Sequence, residues 1–469
     1  MLDTVNMVLV QMINFLFGPI MLCVYFGVGI LMTIRLKGVQ FRRFGTAFRE
    51  CIGNIGRGKN ADHSEGQIKS FKALATALSS CVGNGNIVGI AGAIAVGGPG
   101  AIFWMWIAAI LGMATKFSEI CLAMHYRVQD EEGNFRGGVM YILTRGMKNK
   151  TIGKILGGAF AVFTVMVSLI SCGSLQANTI ASALGGGNGI GIPLWAVAVI
   201  ILVLDALVVC GGLKKITNVT TFLTPFMSFI YMGFGLVIIL MNAPMVPRAL
   251  FYIVKSAFTG DAAVGGVAGA TMMFAIQKGV SRGVFSNEAG IGSSAIVHAT
   301  AKVDQPTRQS LYGIIEVFFD TIVIGTFTAL IVMTTGVWNC GVTDGTELAA
   351  MAFQNSLGRL GIAVMLVSLT LFCISTIFGW YTYGESAFTF LFGAKSLKAF
   401  RVFHCVICAS GALLNVTLMW NLADVANGLM ALPNLLSLFL FGGVVVKNSK
   451  EFFEDYDRKR QEEKERALL

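Results

Sequence analysis

The sequence predicts an all-α polytopic membrane protein. It has about 11 transmembrane helices, arranged as a 5+5 inverted repeat plus one extra N-terminal helix. Three observations carry this. The 469-residue chain is 55% hydrophobic and only 13% charged, against about 25% charged in soluble domains. Its uncharged runs are long: 4–34, 73–115, 155–204, 216–247, 321–343, 360–384, 402–423 and 425–446 contain no Asp, Glu, Lys or Arg. A hydrocarbon core about 30 Å thick needs about 20 apolar residues in a helix, so most of these runs suffice for one crossing, and 73–115 and 155–204 suffice for two. Finally, polar residues interrupt two of the spans at corresponding places.

Taken in order, the helices are expected near 5–34, 70–95, 100–125, 155–182, 193–212, 217–241, 264–282, 310–336, 361–391, 402–421 and 425–446. The first run is too long for the apolar region of a signal peptide, and Asp3 stands where such a peptide is basic. It reads as a spanning helix kinked at Pro19. "VGGPG" (96–100) and "GGGNGIGIP" (185–193) split the two longest runs into hairpins. Lipid-exposed backbone must bond to itself, so short Gly/Pro turns between helices are the expected form. The expected organisation is an extra N-terminal helix (1–36), a basic segment (37–69), a first repeat (70–241), an outer loop (242–261), a second repeat (262–446) and a charged tail (447–469).

Lys and Arg set the orientation. The loops after the second, fourth, sixth, eighth and tenth helices hold three: Arg248, Lys255 and Arg359. The segment 35–72 holds nine and the tail 447–469 seven. The N-terminus is therefore expected outside and the C-terminus in the cytoplasm, in the cell (inner) membrane. The net charge of +10 is spread over separate loops, so it reports topology and implies no nucleic-acid partner. The partner is membrane lipid. "RLKGVQFRRFGTAFRE" (35–50) is either an interfacial helix on the anionic surface or a positive-inside loop. The tail reads as helical and solvated.

The first interruption is "SSCVGNGNIVGIA" (79–91). Glycine costs about 1 kcal/mol in a helix relative to alanine. Gly83 and Gly85 alternate with Asn84 and Asn86 in the middle of a span. Either the helix is broken there, or Gly83, Gly85 and Gly89 make a tight helix–helix contact. A break at membrane depth is tolerated only where it is buried in protein or lines a cavity. The second interruption is "FAIQKGVSRGVFSNEAG" (274–290), with Gln277, Lys278, Gly279 and Gly283 inside the seventh helix. Without the first helix the remaining ten divide into two sets of five, each opening on an interrupted helix. Five helices per set place the sets in opposite orientations. Paired interruptions of this kind point to an inverted-repeat transporter and its site. Both 83–86 and 277–283 are therefore expected to lack helical hydrogen bonds.

Three motifs carry a resemblance. "GGPGAIFWMWIAAILG" (97–112) looks like the signature of the alanine or glycine:cation symporter family, also known as sodium:alanine symporters. "GVFSNEAGIGSSA" (283–295) resembles that family's second hallmark, and "TALSSCVGNGNIVGIAGAI" (76–94) its first core helix. The resemblance implies sodium-coupled uptake of small neutral amino acids, chiefly alanine and glycine, by alternating access. It also implies the inverted-repeat fold of the bacterial leucine transporter, the extra helix being 5–34.

A zwitterion needs donors for its carboxylate, acceptors for its ammonium and a wall for its side chain. Amides near Gly85, Asn86 and Ile87 suit the carboxylate, and carbonyls from Ser80 to Gly83 suit the ammonium or sodium. Phe274, Gln277 and Gly279 stand near the second interruption. Gln176, a lone amide, makes either an interhelical hydrogen bond or, as the family places a glutamine here, a substrate contact. Thr376 and Trp380 are one turn apart and share a face; Trp380 is either a packed aromatic or the side-chain pocket's wall. The resemblance further implies Na+ as coupling ion, with no organic cofactor. Its ligands would be the carbonyls of Ser79, Val82 and Phe372 and the hydroxyls of Ser375 and Thr376. Asn86 is a candidate ligand of a second cation.

Asp205, Glu316 and Asp320 lie within spans, where ionisable residues are functional candidates. They would carry protons in the alternative, a proton-coupled amino-acid transporter of the same fold. They could also pair with Lys278, Arg282 or loop cations, and Asp205 could reach water. No carboxylate falls in 83–86 or 277–283, which favours sodium. Glu288 is expected to organise a cytoplasmic helix start, with Ser286 as its cap. Cys405, Cys408 and His404 look metal-like, but Cys on a membrane helix is a packing residue. An ion channel would favour a continuous polar lining. An enzyme would need a reactive constellation, and His63, His125, His298 and His404 are scattered without nucleophile–base spacing.

Overall fold

A computed structural model describes residues 2–53, 66–131, 133–185, 191–259 and 272–468. The helices used below are α1 (Leu2–Leu16), α2 (Pro19–Arg35), α3 (Val39–Arg42), α4 (Phe44–Gly53), α5 (Ser70–Cys81), α6 (Gly85–Gly97), α7 (Gly100–His125), α8 (Val139–Gly146), α9 (Lys150–Gly185), α10 (Leu194–Val209), α11 (Gly212–Met241), α12 (Val246–Thr259), α13 (Met272–Asn287), α14 (Ala295–His298), α15 (Pro306–Thr334), α16 (Gly345–Phe392), α17 (Leu397–Ser410) and α18 (Val416–Leu468). Among the described residues, seven helices are long and apolar enough to cross a membrane, or nine if the bent pairs α1–α2 and α5–α6 each count as one span. α10 is apolar but shorter, and the expected span 264–282 lies partly outside the described residues.

Polar side chains sit inside and apolar ones face outward. On α11, Phe222, Phe229 and Leu240 are 71%, 80% and 63% exposed, while Thr217, Thr220, Thr224, Ser228 and Tyr231 are buried. Three of these inward hydroxyls find partners across helices. Thr220 bonds Thr76 at 2.9 Å, Thr224 donates to the Ala75 carbonyl at 3.1 Å, and Tyr231 meets Thr328 at 2.7 Å. Lipid tails are as apolar as leucine, so helices associate through packing and such bonds.

The kink expected at Pro19 is a 41° bend. Pro19 sits in the first turn of α2, where its missing N–H is no loss. Two boundaries differ from expectation. The turn expected at 421–425 lies at Leu414 and Asn415, where the Asn415 carboxamide accepts the Leu418 amide at 3.1 Å. α18 then runs unbroken through Asp424 into the tail. The expected boundary fell at 421–425, around the charged Asp424. Asp424 stays in the helix because Arg282 neutralises it through two bonds of 3.1 Å. The tail is also not wholly solvated. Phe452 is buried, and Arg43 donates to both carboxylate oxygens of Asp457 at 2.7 and 2.6 Å.

Two helical stretches are tied by a short parallel pairing, Ile68 with Ala301 and Lys69 with Lys302. It joins the entry to α5 and the exit from α14, so the same face of the protein anchors both interrupted helices.

Candidate functional site

α5 ends at Cys81 and α6 begins at Gly85, with 52° between them. Val82 has extended backbone (φ −75°, ψ 90°). This is a break, as the Gly/Asn pattern predicts. Every residue from Cys81 to Ile94 is buried except Gly92, so the freed groups must be met by protein. The Thr376 hydroxyl lies 3.3 Å from the carbonyls of both Ser79 and Val82 and 3.0 Å from its own Phe372 carbonyl. The Ser375 hydroxyl lies 3.3 Å from the Ser79 carbonyl and 2.8 Å from that of Phe372. The Ser79 hydroxyl returns to the Ser375 carbonyl at 2.8 Å. Five oxygens, from Ser79, Val82, Phe372, Ser375 and Thr376, thus gather where α5 stops. Close approach requires the glycines: a Cβ on Gly83 would sit 2.5 Å from the Thr376 hydroxyl, and one on Gly379 would meet that of Ser80 at 2.1 Å.

The other side of the break is held by amides. Gln176 accepts the Asn84 backbone N–H at 3.2 Å and donates to the Asn84 carboxamide at 2.9 Å. Asn84 donates to Thr179 at 3.0 Å. Asn86 accepts the Gly83 N–H at 3.0 Å and donates to the Asp320 carboxylate at 2.8 Å. Asp320 also accepts from Ser286 at 2.7 Å and Thr321 at 2.8 Å. Ile87 is buried in the apolar core beside them. A cavity of ≈ 330 Å³, lined in part by Asn178, Thr179, Asp344, Glu347 and Trp420, reaches Thr179. It therefore approaches the break within one side chain.

The second interruption is real but displaced. α13 runs unbroken through 277–283 and ends at Asn287. The chain then leaves helical geometry: Glu288, Gly290 and Gly292 have φ of 58°, 93° and 82°. Gly279 and Gly283 do not open the helix. They let α13 press against α7, where a Cβ on Gly279 would lie 2.2 Å from the Ala101 carbonyl. Phe274 and Gln277 lie on the early turns of this unbroken helix, half-buried, and Phe274 packs beneath the Lys278 ammonium at 5.2 Å. Phe274, Gln277 and Gly279 therefore line no break. Ser286 caps no helix either; it is inside α13 and holds Asp320.

Glu288, expected at a helix start, is buried in the second break with a left-handed backbone. It accepts the Trp380 indole N–H at 2.6 Å and the Ser293 hydroxyl. Trp380, one turn beyond Thr376 on α16, is thus tied to the second break; its ring also meets Tyr383 edge-on at 5.0 Å. Glu119 accepts the Gly290 N–H at 2.8 Å and Asn434 at 2.6 Å. Lys116 lies 3.3 Å from Glu316 and donates to Ser294 at 2.8 Å; Glu316 meets His298 at 3.0 Å. Cys81, at the end of α5, donates to Glu316 at 3.3 Å. All of these side chains are buried.

The ion pairs differ from those weighed in the sequence. Glu316 pairs with Lys116 and His298, Asp320 bonds to neutral groups, and Arg282 takes Asp424. Asp205 does not reach water: it is 1% exposed and 3.0 Å from His404. Lys116, Glu119 and Asp424 went unremarked. The signal was present, since Lys116 and Glu119 are an i, i+3 pair inside a span ending a 43-residue uncharged stretch (73–115).

A discontinuous membrane helix, its free carbonyls facing hydroxyls of another helix and a cavity reaching the break, defines a secondary transporter. The comparisons agree. Residues 2–467 match the Sodium:alanine symporter family, and the chain belongs to it. The sodium/alanine symporter AgcS of Methanococcus maripaludis is 41% identical over 451 residues, 95% of this chain and 97% of that protein. The amino-acid carrier protein AlsT of Bacillus subtilis is 35% identical over 93% of this chain and 89% of its own. The crystal structure of MhsT in complex with L-phenylalanine superposes with a TM-score of 0.58 at 13% identity, covering 80% of this chain and 89% of that one. This likeness gives the leucine-transporter-like fold. The protein is a multi-pass sodium-coupled amino-acid symporter and not an enzyme.

Proposed function

We propose that this symporter takes up small neutral amino acids, alanine and glycine, by alternating access between two repeats, 70–241 and 262–446. Its N-terminus lies outside and its C-terminus in the cytoplasm. The supporting observation is the gathering of five neutral oxygens from Ser79, Val82, Phe372, Ser375 and Thr376 at the end of α5. Sodium is a hard cation that takes oxygen ligands. Two of the five are hydroxyls, which turn their lone pairs inward when a cation enters. The carboxylate of the amino acid sits on the first turn of α6, at Gly85, Asn86 and Ile87, where the helix dipole favours negative charge. Its ammonium faces the carbonyls between Ser80 and Gly83.

Gln176 works through Asn84: it holds the unwound segment in shape and stands 3.4 Å from where a Gly83 side chain would begin. Trp380 closes the side-chain end of the pocket, fixed by Glu288. Asn86 and Asp320 form a second cation position, its carboxylate beside the amino acid's own. Each sodium moved inward gains about 2.3 kcal/mol per 100 mV. The membrane potential therefore drives the cycle without covalent chemistry.

The test is uptake of radiolabelled alanine into proteoliposomes under an imposed sodium gradient and, separately, a proton gradient. Sodium-driven uptake that needs more sodium for half-maximal rate in Thr376→Val supports the reading. Uptake driven by protons alone would transfer coupling to Asp320 or Glu316 and overturn the sodium assignment.

A further inference from the structure

We propose that a basic cleft between the end of α2, α3 and the continuation of α18 binds the phosphate headgroup of one anionic phospholipid. The cleft has a volume of ≈ 390 Å³ and five cations on its walls: Arg35, Lys37, Arg42, Arg43 and Lys450. Against them stand Glu454 and Asp457. Asp457 is committed to Arg43 through both oxygens, and Arg43 also lies over the Phe453 ring at 4.4 Å. Lys450 is 3.9 Å from Glu454. Arg35, Lys37 and Arg42 form no salt bridge among the described residues; Arg42 donates to the Lys37 carbonyl at 3.4 Å and adds to the field on Asp457. Five cations thus share one concavity with two acids.

The backbone builds this convergence. Lys37 and Gly38 are successive left-handed residues, with φ of 54° and 66°. They turn the chain sharply out of α2, so Arg35 before the turn and Arg42 after it face one space. Gly442 on α18 makes room, since a Cβ there would sit 2.7 Å from the Arg35 guanidinium. A positive-inside loop needs only an excess of charge; it needs no such concavity.

The depth of the cleft selects a lipid over a soluble anion. The apolar part of α2 ends at Ile34, and that of α18 at Val446, both beside the cleft. This is the level of the headgroups. Ile34 and Phe41 are 68% and 65% exposed, and Phe48 and Ile52 on α4 extend the same kind of surface. Acyl chains cover such residues, whereas free phosphate would leave them in water. Basic pockets between membrane helices bind anionic headgroups by this combination.

The experiment uses full-length protein in a neutral detergent. The thermal midpoint is followed with added phosphatidylglycerol, phosphatidylcholine or inorganic phosphate, in wild type and in Arg35→Gln/Lys37→Gln/Arg42→Gln. Phosphatidylglycerol raises the wild-type midpoint and phosphatidylcholine does not. Half-maximal effect requires about fivefold more phosphatidylglycerol for each cation removed. A control, Lys148→Gln/Lys150→Gln/Lys154→Gln, removes the same charge elsewhere and keeps the wild-type response. Equal loss in both triple variants reduces the effect to bulk charge and overturns the site. An inorganic-phosphate response equal to that of phosphatidylglycerol overturns the lipid assignment. If the cleft variant fails to fold, Arg42→Gln alone is examined by native mass spectrometry. It should retain fewer phosphatidylglycerol adducts than wild type; equal retention overturns the proposal.

Discussion

The two breaks are built from different materials. The one after Cys81 is held mainly by neutral groups, with a single carboxylate, Asp320, behind Asn86: the carbonyls of Ser79 and Val82, the hydroxyls of Ser375 and Thr376, and the amides of Gln176, Asn84 and Asn86. The one after Asn287 is held by charge: Glu288, Glu119, Lys116 and Glu316, with His298 behind them. The difference follows from what each must leave free. Neutral oxygens are only partly satisfied by one another at 3.0–3.3 Å, and they stay available to a cation. A buried ion pair is already spoken for, and it fixes geometry at the cost of desolvation. One break is therefore made to receive ligands, and the other to hold its shape.

Breaking the charged side should cost most. Lys116→Met leaves Glu316 buried with only His298 and neutral donors. Removing one partner of a buried pair costs about 3–5 kcal/mol, so the thermal midpoint in detergent should fall steeply and expression with it. Lys116→Met/Glu316→Gln should recover much of the loss. A single variant as stable as wild type would show that Lys116 holds nothing together.

On the neutral side the effect should appear chiefly in transport. Gly83→Ala drives a methyl into the Thr376 hydroxyl at 2.5 Å. Alanine uptake should drop more than tenfold, while the overpacking costs only about 1–3 kcal/mol of stability, less than the loss in Lys116→Met. Thr376→Val should raise the sodium concentration for half-maximal uptake about tenfold, with protein of normal stability. An unchanged sodium dependence would remove Thr376 from the ion site.

Trp380→Phe probes the tie to the second break. It keeps the ring's bulk and removes the 2.6 Å bond to Glu288. A hydrogen bond to a charged group contributes about 1.5–3 kcal/mol. The midpoint should fall by less than in Lys116→Met, and uptake should admit larger neutral amino acids as the indole loosens. Uptake selectivity identical to wild type would leave Trp380 as core packing alone.

The smallest effect lies outside both breaks. Arg43, by its hydrogen bond, holds the Asp457 carboxyl below the usual carboxylate range. The pair is partly exposed, so it is worth about 0.2–1 kcal/mol. Its contribution is complete above about pH 4, the unfolded carboxylate's pKa, and is lost as pH falls through the lower folded value. Asp457→Asn should remove that part of the acid dependence of the midpoint and leave neutral-pH stability within about 1 kcal/mol.

The first break was legible because its cause is local. Gly83, Asn84, Gly85 and Asn86 disfavour a helix whatever surrounds them. The second was misplaced because the same local evidence, Gly279 and Gly283, is read in two ways by its surroundings. Glycine weakens a helix, yet it also permits the tight approach of α13 to α7. The true break shows itself in backbone angles at Glu288, Gly290 and Gly292, and a glutamate in a left-handed conformation has no advance signal. Partners were equally hidden. Glu316 and Asp320 stand on neighbouring turns of α15, but one faces Lys116 of α7 and the other Asn86 of α6.

By itself the sequence determined the class, the place of most of the long apolar helices along the chain, and the family. These rest on hydropathy, charge asymmetry and contiguous motifs, all properties of the chain read along its length. Only the tertiary structure decided which charges meet, where the second helix opens and that Trp380 bonds Glu288. Those depend on contacts between residues hundreds of positions apart, 414 for Arg43 and Asp457. A buried polar atom is costly without a partner, and helix packing decides which partner is within reach.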